Sequence, residues 1–246
     1  MNKPNNADEV QFTHSDYQGR FARAGLLDFE SLWNLPHNFV EEPNIRRGGW
    51  SGAAQFMIND LDAPQTFYIK RQVNQLRRSL RFPLGALTFR HELVSITRNR
   101  SLGLPAVEVI CAGFRRQNKS DEGFIVTEAI KHPPLEHLAD ARGGWSACSE
   151  ILCELGNTLH SMHTHRIRHG ALYPQHIFVD PANGKINLID FERSRRSLTV
   201  ESAIRHDLKQ LLKRIHWMPA SARDNLLHVY LSKHRKLTYS LLDDAA

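Results

Sequence analysis

Apolar positions change their spacing near residue 131. Between residues 45 and 130 they come in short β-favouring runs. Gln55-Phe56-Met57-Ile58 and Thr66-Phe67-Tyr68-Ile69 flank a turn-forming segment at 59–64, and residues 107–114 and 123–127 have the same strand character. One helix interrupts them, over 89–100, where Leu93, Ile96 and Thr97 recur at helical spacing and Gly103 and Pro105 close it. After Lys131-His132-Pro133-Pro134 the pattern turns helical. A long amphipathic helix is predicted over 146–165, with Ile151, Leu152, Leu155, Leu159 and Met162 as its apolar stripe. Ile177-Phe178-Val179 and Ile186-Asn187-Leu188-Ile189 then read as a hairpin around Asp180-Pro181-Ala182-Asn183-Gly184, and the chain is helical from Glu201 onward. Residues 1–44 are polar and mixed, broken by Pro36 and Pro43, and read as an N-terminal extension with one short helix around 29–35. The pattern predicts an α+β chain: a β-rich lobe at 45–131, a helical lobe at 132–246, and a ligand cleft between them.

Composition narrows the class. The chain has 246 residues, with 32 Lys+Arg against 26 Asp+Glu for a net charge of +6, and 41% hydrophobic residues. That balance excludes a disordered, collagen-like or disulfide-scaffold protein. Three cysteines, Cys111, Cys148 and Cys153, form an odd and sparse set that fits a reducing compartment. The first residues lack the apolar core of a signal peptide, and no apolar run approaches the ~18–20 residues of a membrane span. The expectation is a cytoplasmic protein whose contact with a membrane, if made, is at its surface. The basic stretch Lys70, Arg71, Arg77, Arg78 and Arg81 suits an anionic membrane surface as well as a plain solvated loop. It lacks interleaved aromatics for base stacking, so nucleic acid is not expected as a partner.

Candidate chemistry is spread along the chain. Arg47-Gly48-Gly49-Trp50-Ser51-Gly52 precedes the first strand run. Its glycines suit a backbone that approaches phosphate oxygens, or a simple hairpin turn. Lys70 ends a strand, as a phosphate-holding ammonium or an edge lysine. Glu92, on the following helix, is placed to pair with it or to face solvent. Asp190, after the second strand of the hairpin, is a hard oxygen donor suited to Mg²⁺ or a helix cap, and His176 sits one strand away. His160, His163, His165 and His169 crowd one segment. The spacing of His165 and His169 admits zinc, but helix-end histidines held by the macrodipole account better for His163 and His165.

In this order the segments resemble the protein-kinase fold. Lys70 stands where that fold has its strand lysine and Glu92 where it has its helix glutamate. His169-Gly170-Ala171-Leu172 matches the catalytic loop, and Asp190-Phe191-Glu192 matches Asp-Phe-Gly. The glycine loop and His169-Gly170-Ala171-Leu172-Tyr173-Pro174-Gln175-His176 resemble, more narrowly, the bacterial lipopolysaccharide kinase family, which takes in Kdo and heptose kinases and InaA-like proteins. The resemblance covers about residues 45–215 and implies a two-lobed kinase-like fold using ATP and Mg²⁺. The acceptor it implies is a sugar hydroxyl of lipopolysaccharide core or a related glycolipid. It assigns Gly48, Gly49, Ser51, Gly52, Lys70, Glu92 and Glu128 to the nucleotide, His176 and Asp190 to the metal, and His169 with Asp190 to catalysis. It also implies that Asp207, in Arg205-His206-Asp207-Leu208, braces the catalytic loop. The chain departs from the pattern twice: Ala171 stands at the catalytic aspartate and His176 at the metal-binding asparagine. Three readings follow. One is an active sugar kinase. Another is a weak or inactive kinase-like protein that binds nucleotide and acts through partners in envelope stress or regulation. The third is a stress-linked interaction protein that uses neither nucleotide nor metal.

Overall fold

The computed structural model describes residues 10–13, 15–46, 48–59 and 63–244. Arg47, residues 1–9 and much of the turn expected at 59–64 lie outside the described residues. Contacts divide the chain into two compact units. The described residues before Ser95 join Glu108–Ala129 in the first, and Ser95–Val107 join the described residues beyond Ala129 in the second.

The first unit contains β1 (Val10–Phe12), α1 (Ser15–Arg23), α2 (Phe29–Trp33), β2 (Asn44–Arg46), β3 (Gly49–Ile58), β4 (Gln65–Val73), β5 (Leu76–Arg77) and β6 (Ala86–Leu87). The division of units falls within α3 (Thr88–Ser101); β7 (Val109–Gln117) and β8 (Ser120–Glu128) return to the first unit. Six strands form one antiparallel sheet in the order β1-β7-β8-β4-β3-β2. The four expected strand runs fall in β3, β4, β7 and β8, which pair as β3–β4 and β7–β8.

Residues before 45 supply more than the single short helix expected. β1 adds an edge strand, and α1 places Phe21, fully buried, edge-on to Phe12 at 5.5 Å and to Phe67 at 5.1 Å. Phe29 and Leu32 of α2 join Phe67, Ile69, Ile110 and Phe124 in the same core. Truncating a ring such as Phe21 to alanine costs roughly 3–5 kcal/mol. The helix α1 spans only nine residues. Its stability comes from packing, as for most short helices. At α2 the start is set locally, because Asp28 caps it by accepting the Ser31 amide at 2.8 Å.

Side chains alternate across β4. Phe67 and Ile69 enter the core with α1 and α2, and Arg71 follows them. Its guanidinium is fully buried and donates to the carbonyls of Leu32 at 3.1 Å and Leu35 at 2.9 Å. Burial lowers its pKa to about 10. Arg71 therefore does not belong to the solvated basic stretch read from the sequence. Gln72 faces the other way, where it bonds Thr88 Oγ1 at 2.6 Å and accepts the Phe89 amide at 3.3 Å, pinning the first turn of α3.

The second unit contains α4 (Leu138–Arg142), α5 (Ser149–Thr164), β9 (Ile167–Arg168), β10 (Ile177–Val179), β11 (Ile186–Leu188), β12 (Arg195–Arg196), α6 (Val200–Leu212), α7 (Ala220–Lys233) and α8 (Arg235–Asp243). The stripe read on α5 is its buried face. Gly156 lets α5 lie directly on α7, because any Cβ there would strike the Leu226 carbonyl oxygen. β10 and β11 form the expected hairpin. Its turn uses the chemistry its residues suggest: Asp180 Oδ1 accepts the Ala182 amide at 2.8 Å, Asn183 Oδ1 the Lys185 amide at 2.9 Å, and Gly184 takes φ 73°. Cys111, Cys148 and Cys153 are free thiols. Among the described residues no helix is long and apolar enough to cross a membrane.

Candidate functional site

In the first unit, Lys70 lies within β4 rather than at its end, paired with Ala53 of β3 and Ile125 of β8. Its Nζ donates to Glu92 Oε1 at 2.8 Å. Glu92 is 2% exposed and Lys70 27%, so the pair has a buried acidic half and a reachable basic half. A carboxylate fixed on α3 thus aims an ammonium held on a central strand. The ion pair expected from the sequence is present.

The glycine segment belongs to the strand hairpin instead of preceding it. Arg46 of β2 faces Gly49 of β3, and Gly48 takes φ 73° at the turn. Two of the glycines answer to packing. A Cβ on Gly49 would overlap the Val73 carbonyl oxygen, and one on Gly52 would lie 2.5 Å from the Phe39 ring. Phe39 comes from the segment before β2 and bridges to Ala54. Ser51 stands between Asn44 and Gln72 in the ladder. A concave surface of about 400 Å³ opens at this hairpin, lined by His37, Phe39, Pro43, Ile45, Gly48, Gly49 and Trp50. Glu128 stands apart from the Lys70–Glu92 pair. It faces Phe67, and its two oxygens accept Tyr17 Oη and Gln65 Nε2, each at 2.7 Å. Tyr17 is raised to about 12, by burial first and then by that hydrogen bond.

In the second unit, the loop from His169 to His176 is built on a buried carboxylate. Asp207 of α6 is fully buried; its Oδ2 accepts the His169 amide at 2.6 Å and its Oδ1 the Gly170 amide at 3.0 Å. The bracing role implied for Asp207 is therefore seen directly. His163 completes it, with Nε2 3.2 Å from Asp207 Oδ2 and Nδ1 2.8 Å from Tyr230 Oη. His163 is fully buried, so it is a member of this network and not a solvent-facing helix-end histidine. The sequence placed a histidine near the end of α5 but carried no sign that α6 and α7 would close around it. Burial acts to raise the Asp207 pKa, but hydrogen bonds to His163 and to His206, whose Nδ1 lies 3.2 Å from Oδ1, outweigh it and hold the carboxyl well below the usual carboxylate range.

His169 is also fully buried. Its ring lies 4.6 Å from that of Phe191, and its Nδ1 accepts the Ala171 amide at 3.3 Å. Burial lowers its pKa to about 4, so it is neutral at pH 7. Gly170 takes φ 85°, and a Cβ there would lie 2.5 Å from the Arg193 carbonyl oxygen. The loop is thus clamped against the segment that follows Asp190. Ala171 is 2% exposed.

His176 and Asp190 are neighbours. His176 Nδ1 is 2.8 Å from the Ala171 carbonyl, so that nitrogen carries the proton and donates, leaving Nε2 with its lone pair. Asp190 Oδ2 lies 3.7 Å from the same Nδ1. The Ile189 amide donates to the His176 carbonyl at 3.1 Å, holding the two segments side by side. Asp190 itself takes φ 64°, a left-handed conformation that Asp tolerates better than most residues. A half-exposed carboxylate beside an imidazole with one nitrogen locked as donor suits a divalent cation, since metal-binding histidines usually donate their other N–H to an oxygen.

Residues 30–230 match the lipopolysaccharide kinase (Kdo/WaaP) family. The chain belongs to that family. It is 28% identical over 200 residues to Protein InaA of Escherichia coli (strain K12), covering 78% of this chain and 90% of that protein. Among solved structures it is similar to WaaP, determined in complex with acyl carrier protein. That likeness has a TM-score of 0.63 at 17% identity and covers 96% of this chain and 98% of the other. The fold is accordingly α+β and kinase-like. Membership of the lipopolysaccharide kinase family supports a kinase-like role connected with lipopolysaccharide.

Proposed function

We propose that the protein is an ATP-dependent phosphotransferase acting on a sugar hydroxyl of lipopolysaccharide core at the cytoplasmic face of the inner membrane. The observation that carries this reading is the Lys70–Glu92 ion pair in a chain of this family. Lys70 would hold nucleotide phosphates, and Glu92 keeps its ammonium directed. Asp190, with His176 Nε2, would hold Mg²⁺. Among the described residues no group of three or more His, Cys, Asp or Glu side chains is placed to hold a metal ion, so phosphate oxygens would have to complete the shell. When bound, the metal nucleotide supplies the phosphoryl group and neutralises charge developing on it.

In this reading Gly48 is the turn of the covering hairpin. Gly49 and Gly52 let that hairpin pack, and Ser51 lies on the same strand. Glu128 closes the end of β8 through Tyr17 and Gln65 and is not assigned to the nucleotide. His169 is a positioning residue. A neutral, fully buried imidazole that accepts the Ala171 amide has no route to an acceptor hydroxyl.

A second reading rests on Ala171. Alanine cannot orient an acceptor or take its proton, so the protein would bind nucleotide and transfer slowly or not at all. Phosphoryl transfer relies chiefly on positioning and electrostatics, which leaves room for turnover without that carboxylate. Phosphotransfer to lipopolysaccharide core, measured for the chain and for Ala171→Asp, separates the two. Turnover by the chain supports the enzyme. Turnover by Ala171→Asp alone supports a nucleotide-binding protein with a silenced transfer step. No ATP-dependent thermal shift in either would overturn both.

A further inference from the structure

The two-residue ribbon β9–β12 sets Arg168 directly opposite Arg195. Side chains paired this way in an antiparallel ladder are close neighbours, and like charges there repel. Burial first and then the charge of Arg195 lower the Arg168 pKa, and the charge of Asp207 acts against them. Among the described residues neither guanidinium forms an ion pair or donates a side-chain hydrogen bond. The Nε of Arg168 is buried without an acceptor. Proteins meet the donors of buried guanidinium groups, because a stranded donor loses water and gains nothing. Burial first and then the charge of Arg196 lower the pKa of Arg98, whose Nη2 reaches Ser194 Oγ at 3.1 Å.

We infer that Arg168 and Arg195 form a binding site for a phosphate monoester dianion. Two arginines at directly opposed ladder positions can bring forked N–H donors to one small tetrahedral anion, and the anion removes their mutual repulsion. The site adjoins the candidate catalytic loop in the chain, since Arg168 precedes His169 and Arg195 follows the Phe191–Arg193 turn. The ligand class is a phosphate group, carried by a sugar of the acceptor or free in solution. Its assignment to an acceptor sugar rests on the lipopolysaccharide-directed function proposed above.

Titration calorimetry of the full chain at constant ionic strength tests the site, with sodium phosphate, glucose 6-phosphate and glucose as probes. Phosphate and glucose 6-phosphate should bind and glucose should not. Arg195→Gln, at an exposed position, should lose at least tenfold in affinity. Its melting temperature without ligand should be unchanged or higher, because a repulsion is gone. Arg196→Gln removes the same charge one residue on and should change affinity less than twofold. Tighter binding of glucose 6-phosphate than of phosphate assigns the site to a phosphorylated sugar; equal binding assigns it to phosphate alone. Absence of phosphate binding, or equal losses in the two variants, overturns the inference. None of these readouts needs turnover, so failure of the phosphotransfer assay leaves this result intact, and failure here leaves that assay intact.

Discussion

The backbone amide of His169 donates to Asp207 Oδ2 at 2.6 Å, joining positions 38 residues apart. With the Gly170 amide on the other oxygen, this carboxylate sets the path of the loop that runs on through Ala171 to His176. Replacing Asp207 by alanine strands two buried amides and the His163 ring at once. The expected cost is about 3–5 kcal/mol, against a smaller loss for Asp207→Asn, which keeps an acceptor. Urea unfolding of both variants measures the difference, and equal, small losses would show that the loop does not depend on this carboxylate.

Acid should destabilise the protein in two stages. The His169 pKa, lowered to about 4 by burial, lies below its unfolded value. Above about pH 6.5 both states leave it neutral and stability is complete. Between there and pH 4 the unfolded chain takes up the proton and the folded one does not, so stability falls by on the order of 3 kcal/mol. Below pH 4 this group contributes no further change. Asp207 acts in a lower window: its depressed pKa gives stability that is present above the unfolded value and is lost as pH falls through the folded one. Unfolding free energies at pH 7.0 and 4.5 should differ in the native chain, and the gap should shrink in His169→Leu.

Lys70→Ala should abolish the thermal shift produced by ATP. It should also lower stability without ligand by roughly 1–3 kcal/mol, because Glu92 is buried and loses a charged partner. Glu92→Gln should weaken ATP binding with less effect on stability. A Lys70→Ala protein that still binds ATP normally would remove the lysine from the nucleotide site.

Gly52→Ala and Gly49→Ala test what the glycine segment is for. A Cβ at Gly52 meets a movable ring, Phe39, and at Gly49 a fixed backbone oxygen. Gly49→Ala should therefore be the more damaging. Gly52→Ala should cost about 1–3 kcal/mol and be largely restored by adding Phe39→Ala. If the double variant melts no higher than Gly52→Ala, the ring is not the reason for the glycine.

Asp190→Asn should fold normally, because asparagine accepts the left-handed backbone that this position takes. Mg²⁺-dependent nucleotide binding should fall at least tenfold. Calorimetry with and without Mg²⁺ measures this, and an unchanged Mg²⁺ effect would place the metal elsewhere.

Much of this architecture was legible in local pattern. The strand runs within β3, β4, β7 and β8, the helical stripe of α5 and the Asp180–Gly184 turn all follow from periodicity and turn chemistry, which neighbouring residues set among themselves. The identity of Lys70, Glu92, His176 and Asp190 as interesting residues was legible too, as an ordered set resembling a known family. Residues whose role depends on distant partners were not. Arg71 reads as one more surface cation, yet it is buried under α2. Phe39 gives no sign that it occupies the space left by Gly52. Glu128 gives no sign in the sequence that Tyr17 and Gln65, both remote along the chain, donate to its two oxygens.

Spacing along the chain specifies which segments become strands and helices, because period and turn preference are properties of a few consecutive residues. Which charges end up buried, bonded or opposed was settled only when strands and helices remote in sequence came together. Arg71 beneath the Leu32 carbonyl, His163 against Asp207, and Arg168 facing Arg195 each require two segments whose meeting neither one encodes alone.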